Sequence, residues 1–183
     1  MRTAIALAAG CAVGAAAMLA WDHIGTTHSG VQPYAGQQVR QVSSLSEQDV
    51  SDLLAGQGWG LAKPAEFNGY PGPRHVLDAA ATLGLTDGQR KDIQQAFDDM
   101  SARARQLGEA YVEAERALDE AFKSGAITAD MLRERLEAAE RLRSELREAH
   151  LEAHLKITPL LTDEQIRKYA ELRGYGEHAG HAH

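Results

Sequence analysis

His150 and His154 stand four residues apart, and no other pair of side chains in this sequence is better spaced for chemistry. On a helix, residues at i and i+4 project from adjacent turns of one face, a separation that one metal ion can bridge. Neutral imidazole suits Zn, Ni and Cu(II). His75 joins the pair if the short helix it begins packs against the same end of the molecule. His178, His181 and His183 add three imidazoles within the last six residues, either a weak metal-gathering tail or a chance composition of a chain end. The pair is also open to plainer readings. It fits two surface histidines, a packing pair that bonds a carboxylate or backbone carbonyl, or a sensor of acidification with an ordinary pKa near 6.5. Nothing is assigned to His23 or His28.

Other chemistry is poorly represented. There is no Ser-His-Asp arrangement, no Gly-rich phosphate loop and no paired-carboxylate pocket signature, so the chain reads as a protein without catalytic activity. Its acidic residues sit at solubilising spacings along helices. The lone cysteine is Cys11, inside the apolar N-terminal run, which leaves the remainder without disulfides or thiolate ligands. A net charge of −7 argues against binding nucleic acid. No lysine-rich patch suits an anionic membrane.

What must position the histidines is helical. Aromatics make up 5% of the 183 residues, while Ala, Leu, Glu and Arg abound. Four places put an apolar residue before Ser or Thr and a helical pattern, at Ser46, Thr86, Thr128 and Thr162. Each hydroxyl can cap a helix N-terminus. At Thr86 and Thr162 the glutamine three residues on, Gln89 and Gln165, can close a capping box. From 86 to about 123 an apolar stripe runs Ile93, Phe97, Met100, Ala104, Leu107, Tyr111, Ala114, Leu118 and Ala121 or Phe122, one helical seam. Gly108 is its weak interior position, at a cost of about 1 kcal/mol against Ala. A second stripe, from 128 to about 158, runs Leu132, Leu136, Ala139, Leu142, Leu146, His150, Ala153 and Ile157 and stops at Pro159. A short connection at 123–127 makes the two rods antiparallel neighbours.

Shorter helices are expected at 46–55, from Pro73 to Gly84 and at 163–173. Between the first two lies an aromatic segment, 56–72, with Trp59, Phe67 and Tyr70, which reads as a core cover or a client surface. Glu137 and Arg141 are spaced as an i,i+4 ion pair. Arg103, Arg105, Arg133, Arg143 and Arg147 read as solvated faces, with partner contact the alternative. Leu151 and Leu155 point away from the main seam and need a second cover. The fold class is therefore all-α: a long antiparallel helical hairpin with short flanking helices, expected to form a homodimer.

Four segments follow from these patterns. Residues 1–20 read as a signal peptide or N-terminal membrane anchor, with Arg2 ahead of an uncharged run. Leu7-Ala8-Ala9-Gly10-Cys11 leaves lipidation at Cys11 as a third option. All three place the rest of the chain outside the cytoplasm. Residues 21–43 read as a flexible tether, 44–173 as the helical domain and 174–183 as a His-rich tail.

The two Leu-Thr-x-x-Gln elements, Leu85-Thr86 with Gln89 and Leu161-Thr162 with Gln165, resemble those of the Spy/CpxP-type periplasmic family over about residues 45–173. Relatives include zinc-resistance-associated proteins and nickel/cobalt sensors. The stretch from Trp59 to Pro73 resembles a subgroup of heavy-metal sensors and refolding chaperones. The resemblance implies a curved periplasmic helical dimer. Members hold unfolded clients, inhibit a sensor kinase or bind metal through His and Met. The acidic charge departs from the basic cradle of the Spy kind. The expected function is a periplasmic envelope-stress or heavy-metal response, binding or sensing Zn, Cu or Ni through His150, His154 and His75. The alternative is a metal-independent chaperone or adaptor for unfolded proteins or a sensor protein. Membrane contact is expected only through the N-terminal segment.

Overall fold

The computed structural model describes residues 32–175. The expected N-terminal leader, Cys11 and the tail histidines lie outside them. The chain divides into two compact units at Ala35/Gly36, and the account below concerns the second. Its element order is α1 (Glu47–Leu54), α2 (Lys63–Glu66), α3 (Pro73–Asp78), α4 (Ala80–Leu83), α5 (Asp87–Lys123), α6 (Ala129–Ile157), a 3-10 turn (Thr158–Leu160) and α7 (Asp163–Leu172). The class is all-α, with no strand among the described residues.

The hydroxyl signals start helices as their chemistry requires. Ser46, Thr86, Thr128 and Thr162 each accept a hydrogen bond from the backbone N–H three residues on. Full capping boxes close at Thr86 and Thr162 through Gln89 and Gln165. Ser46 forms another with Asp49, whose shorter acid does the same work. The helix opened by Pro73 is not continuous to Gly84: it breaks at Ala79 into α3 and α4, and left-handed Gly84 ends the second piece. The aromatic segment also differs from a bare loop, because Pro64 sits in the first turn of the short α2.

α5 and α6 share the most extensive packing in the molecule. Their cross-helix ion pairs run in opposite senses: Lys156 meets Asp99 at 3.3 Å, while Arg103 meets Glu152 at 2.6 Å and Glu148 at 3.5 Å. The rods are therefore antiparallel. On the outer face Arg141 reaches Glu145, not the Glu137 suggested by spacing, at 3.5 Å.

Two apolar cores lie along this pair. The first gathers Leu53, Leu61, Ala104, Tyr111, Val112, Ala139 and Leu146, and Val42 and Leu45 extend it. The second, at the closed end, gathers Val76, Leu83, Leu85, Ile93, Ile157, Leu161 and Tyr169. Gly108 belongs to the first for a steric reason. A Cβ there would stand 2.2 Å from the Leu53 carbonyl oxygen, so the end of α1 can lie against α5 only because position 108 has no side chain.

Candidate functional site

His150 and His154 sit on α6 between Leu146 of the first core and Ile157 of the second. Both are buried, at 3% and 5% exposure. α3 brings His75 to the same place, and the three line one cleft of about 380 Å³ with Glu66, Met100 and Arg173. The segment 55–75 forms most of the opposite wall. The cleft thus exists because two cores leave a gap along α6 and the aromatic segment roofs it.

The two buried imidazoles differ in their partners. His154 Nδ1 lies 2.8 Å from the Tyr70 carbonyl oxygen. A carbonyl only accepts, so Nδ1 carries the proton and Nε2 of the neutral ring keeps its lone pair. His150 bonds the Gln57 backbone. Its Nε2 is buried with no hydrogen-bond partner, alone among the buried side-chain N and O atoms of the described residues. Orphans of this kind are rare, because burying an unpaired polar atom costs about 1–3 kcal/mol. Burial holds the His150 pKa below its ordinary value, the neighbouring His154 imidazole works in the same direction, and the Gln57 backbone opposes both. His75 is also lowered, first by burial and then by Arg173, with Glu66 opposing.

Glu66 completes the polar wall and Tyr169 holds it, and no spacing in the sequence singled them out for this. The Tyr169 hydroxyl donates to Glu66, at 2.8 Å from Oε2, and accepts from the Gly72 N–H at 3.3 Å. Burial and then the Glu66 bond push the phenol pKa up, which keeps it a donor. Gly72 is where the wall closes. A Cβ there would meet Glu66 Oε1 at 2.6 Å and His154 Cε1 at 3.0 Å. Tyr169 was legible as an inward residue of the last helix. Glu66 carried no signal beyond its place after Pro64.

The motif residues do something else. Gln89 and Gln165 each accept from the backbone N–H of their own threonine and also bond each other: Gln89 Nε2 donates to Gln165 Oε1 at 2.9 Å, and Gln165 Nε2 to Gln89 Oε1 at 3.2 Å. Gln89 Nε2 also reaches the Leu160 carbonyl at 2.8 Å. Leu85 and Leu161 are buried beside them in the second core. The paired Leu-Thr-x-x-Gln elements are thus a clasp joining the starts of α5 and α7.

Residues 74–173 match the family described as LTXXQ motif family protein. The chain belongs to that family. The match begins at α3 and ends at Arg173, so it takes in the clasp, the long helix pair and all three cleft histidines. In this LTXXQ protein α1, α2 and most of the aromatic roof precede the matched region. No curated protein and no solved structure matches the chain.

Of the three segment aromatics, Trp59 is a core cover: it packs on Tyr111 at 6.1 Å and donates its indole N–H to Asp49 at 2.8 Å. Phe67 and Tyr70 are exposed. Among the described residues no three His, Cys, Asp or Glu side chains are grouped so as to hold a metal ion, and no helix is long and apolar enough to cross a membrane.

Proposed function

We propose that this LTXXQ protein is a periplasmic envelope-stress or heavy-metal-response protein, without catalytic activity, that binds a divalent metal through His150 and His154. The observation that carries the reading is the buried, unpartnered Nε2 of His150 beside a second imidazole whose Nδ1 is committed to a carbonyl. Metal-bound histidines characteristically give their other ring nitrogen to such an acceptor, which fixes the tautomer and orients the ring. Two imidazoles leave an open coordination sphere for water or for the nearby Glu66 or His75. Met100 lines the same cleft, and a thioether there suits copper. A bound ion would supply a charge at the centre of the molecule and tie the two cores together.

Titration with Zn, Cu and Ni of a chain ending at residue 175, free of His178, His181 and His183, tests the proposal. Binding should be lost in His150→Ala and His154→Ala. If the double variant binds as tightly as its parent, the reading fails.

The second reading, a metal-independent holder of unfolded clients or of a sensor domain, is favoured by a separate observation. Phe122 and Leu136, near the far end of the helix pair, are 56% and 44% exposed. It predicts suppressed aggregation of a denatured client in the presence of chelator, and no suppression at several-fold molar excess would count against it.

A further inference from the structure

A second depression lies beside the cleft, sharing Trp59, Gly60 and Lys63 with it. It is a groove of about 370 Å³ bordered by Lys63 from α2 and by Arg143 and Arg147, one turn apart on α6. Three cations converge there in a chain whose net charge is −7. Several arginines elsewhere on the helices sit beside carboxylates: Arg103, Arg116, Arg133 and Arg141 are all in ion pairs. In the groove only Arg143 is, with Glu140 at 3.4 Å. Lys63 and Arg147 have no carboxylate within ion-pair distance among the described residues.

The wall of the groove is held in an unusual backbone state. Trp59 is the one non-glycine residue with positive φ among the described residues, at +43°. A bulky side chain in that region is strained, and such strain persists only where surrounding contacts fix it. Here Asp49 and Tyr111 do so. The result is an indole fixed in the same groove as two guanidinium groups and an ammonium.

We propose that this groove binds a phosphate oxyanion. Arginine presents planar forked donors that match phosphate in bidentate fashion, and lysine adds a point charge. The unpaired cations need no ion pair broken before they engage. The phosphate is either a free ion or the headgroup of an anionic phospholipid, and the experiment separates these sources.

The probe is the fluorescence of Trp59 in a Trp21→Phe chain, stripped of metal on a chelating resin. It is titrated with sodium phosphate and, separately, with vesicles of phosphatidylglycerol or of phosphatidylcholine. Sodium chloride at matched ionic strength is the reference. A saturable change with phosphate assigns the free ion. A change with phosphatidylglycerol vesicles and not with phosphate assigns the headgroup. Arg143→Gln with Arg147→Gln should weaken either by about tenfold or more, while Arg133→Gln, far along α6, leaves it unchanged. Circular dichroism checks that each variant keeps its helix content. The proposal is overturned if neither probe gives a change, if chloride gives the same one, or if the double variant binds like the parent.

Discussion

The two ends of the α5–α6 pair are built differently. At the closed end, α3, α4, the 3-10 turn and α7 wrap the rods, and long-range hydrogen bonds tie them together: Gln89 to Gln165, Tyr169 to Glu66, His154 to Tyr70. Toward the connection at 124–128, residues 43 and 44 bond Asp119 and Glu115. Beyond them lie Phe122, Leu132 and Leu136, with Lys123–Glu120 and Arg133–Asp130 as local i,i+3 ion pairs. Such exposed pairs contribute little to stability. Among the described residues, the buried imidazoles are found where several elements converge. A polar group can be kept unpaired in an interior only if packing on all sides holds it there, and two rods alone offer no such enclosure.

The contrast is broken most severely at Gly108. Gly108→Ala should destabilise the protein by about 2 kcal/mol or more, because the new Cβ overlaps the Leu53 carbonyl and α1 must lift. Helix propensity alone predicts the reverse, a gain of about 1 kcal/mol. The sign of the shift in the urea midpoint decides between them. Next is the clasp. Gln165→Ala should cost about 1–3 kcal/mol, since it strands the Thr162 N–H and removes both bonds to Gln89, which keeps only Thr86 and the Leu160 carbonyl. In a double-mutant cycle with Gln89→Ala the two should be coupled by about 1 kcal/mol. Additivity would show that each glutamine merely caps its own helix.

Gly108 also marks the limit of what the sequence discloses. Apolar periodicity places Ile93, Ala104, Tyr111, Leu146 and Ile157 correctly in the interior, because burial of one helix face is a property of spacing along one element. The caps at Thr86 and Thr162 are legible for the same reason: donor and acceptor lie three residues apart. The mutual bond between Gln89 and Gln165 is not, because it spans 76 positions. Nor are Glu66 opposite His154 and the carbonyl against Gly108, which depend on how separate elements dock. The i,i+4 spacing showed that His150 and His154 share a face. Their burial, and the carbonyl that His154 bonds, came from segments whose path the pattern did not fix. Leu136 fails in the opposite sense: its period is right, but no third element among the described residues buries it.

The closed end should also respond to pH. With metal removed, burial keeps His150 reluctant to protonate in the folded state, and His75 adds to this in the same direction. The unfolded chain takes up those protons near pH 6.5. Below that value the unfolded state holds more protons than the native one, so stability falls as pH drops and is fully present above it. The slope for one such group is at most about 1.4 kcal/mol per pH unit. Denaturation midpoints between pH 7.5 and 5 should therefore decline, and His150→Leu should flatten the decline. An unchanged slope in that variant would place the titrating group elsewhere.

The smallest effect is expected at the bare end, and it is the one that sharpens the comparison most. In the isolated chain Leu136→Gln should change stability by no more than about 0.5 kcal/mol, because Leu136 is already 44% exposed and leaves little cavity. The homodimer expected from the two single-seam rods would alter that result in a specific way. Folding coupled to association makes the melting temperature rise with protein concentration. If the second copy covers this end, the parent should melt higher at higher concentration and Leu136→Gln should lose that dependence while melting normally when dilute. If the parent shows the dependence and Leu136→Gln keeps it, the second copy packs elsewhere, with Leu155, which is also exposed on α6, as the next residue to change. If the parent shows none, the bare end is bare in solution too, and its apolar side chains are free for a different protein.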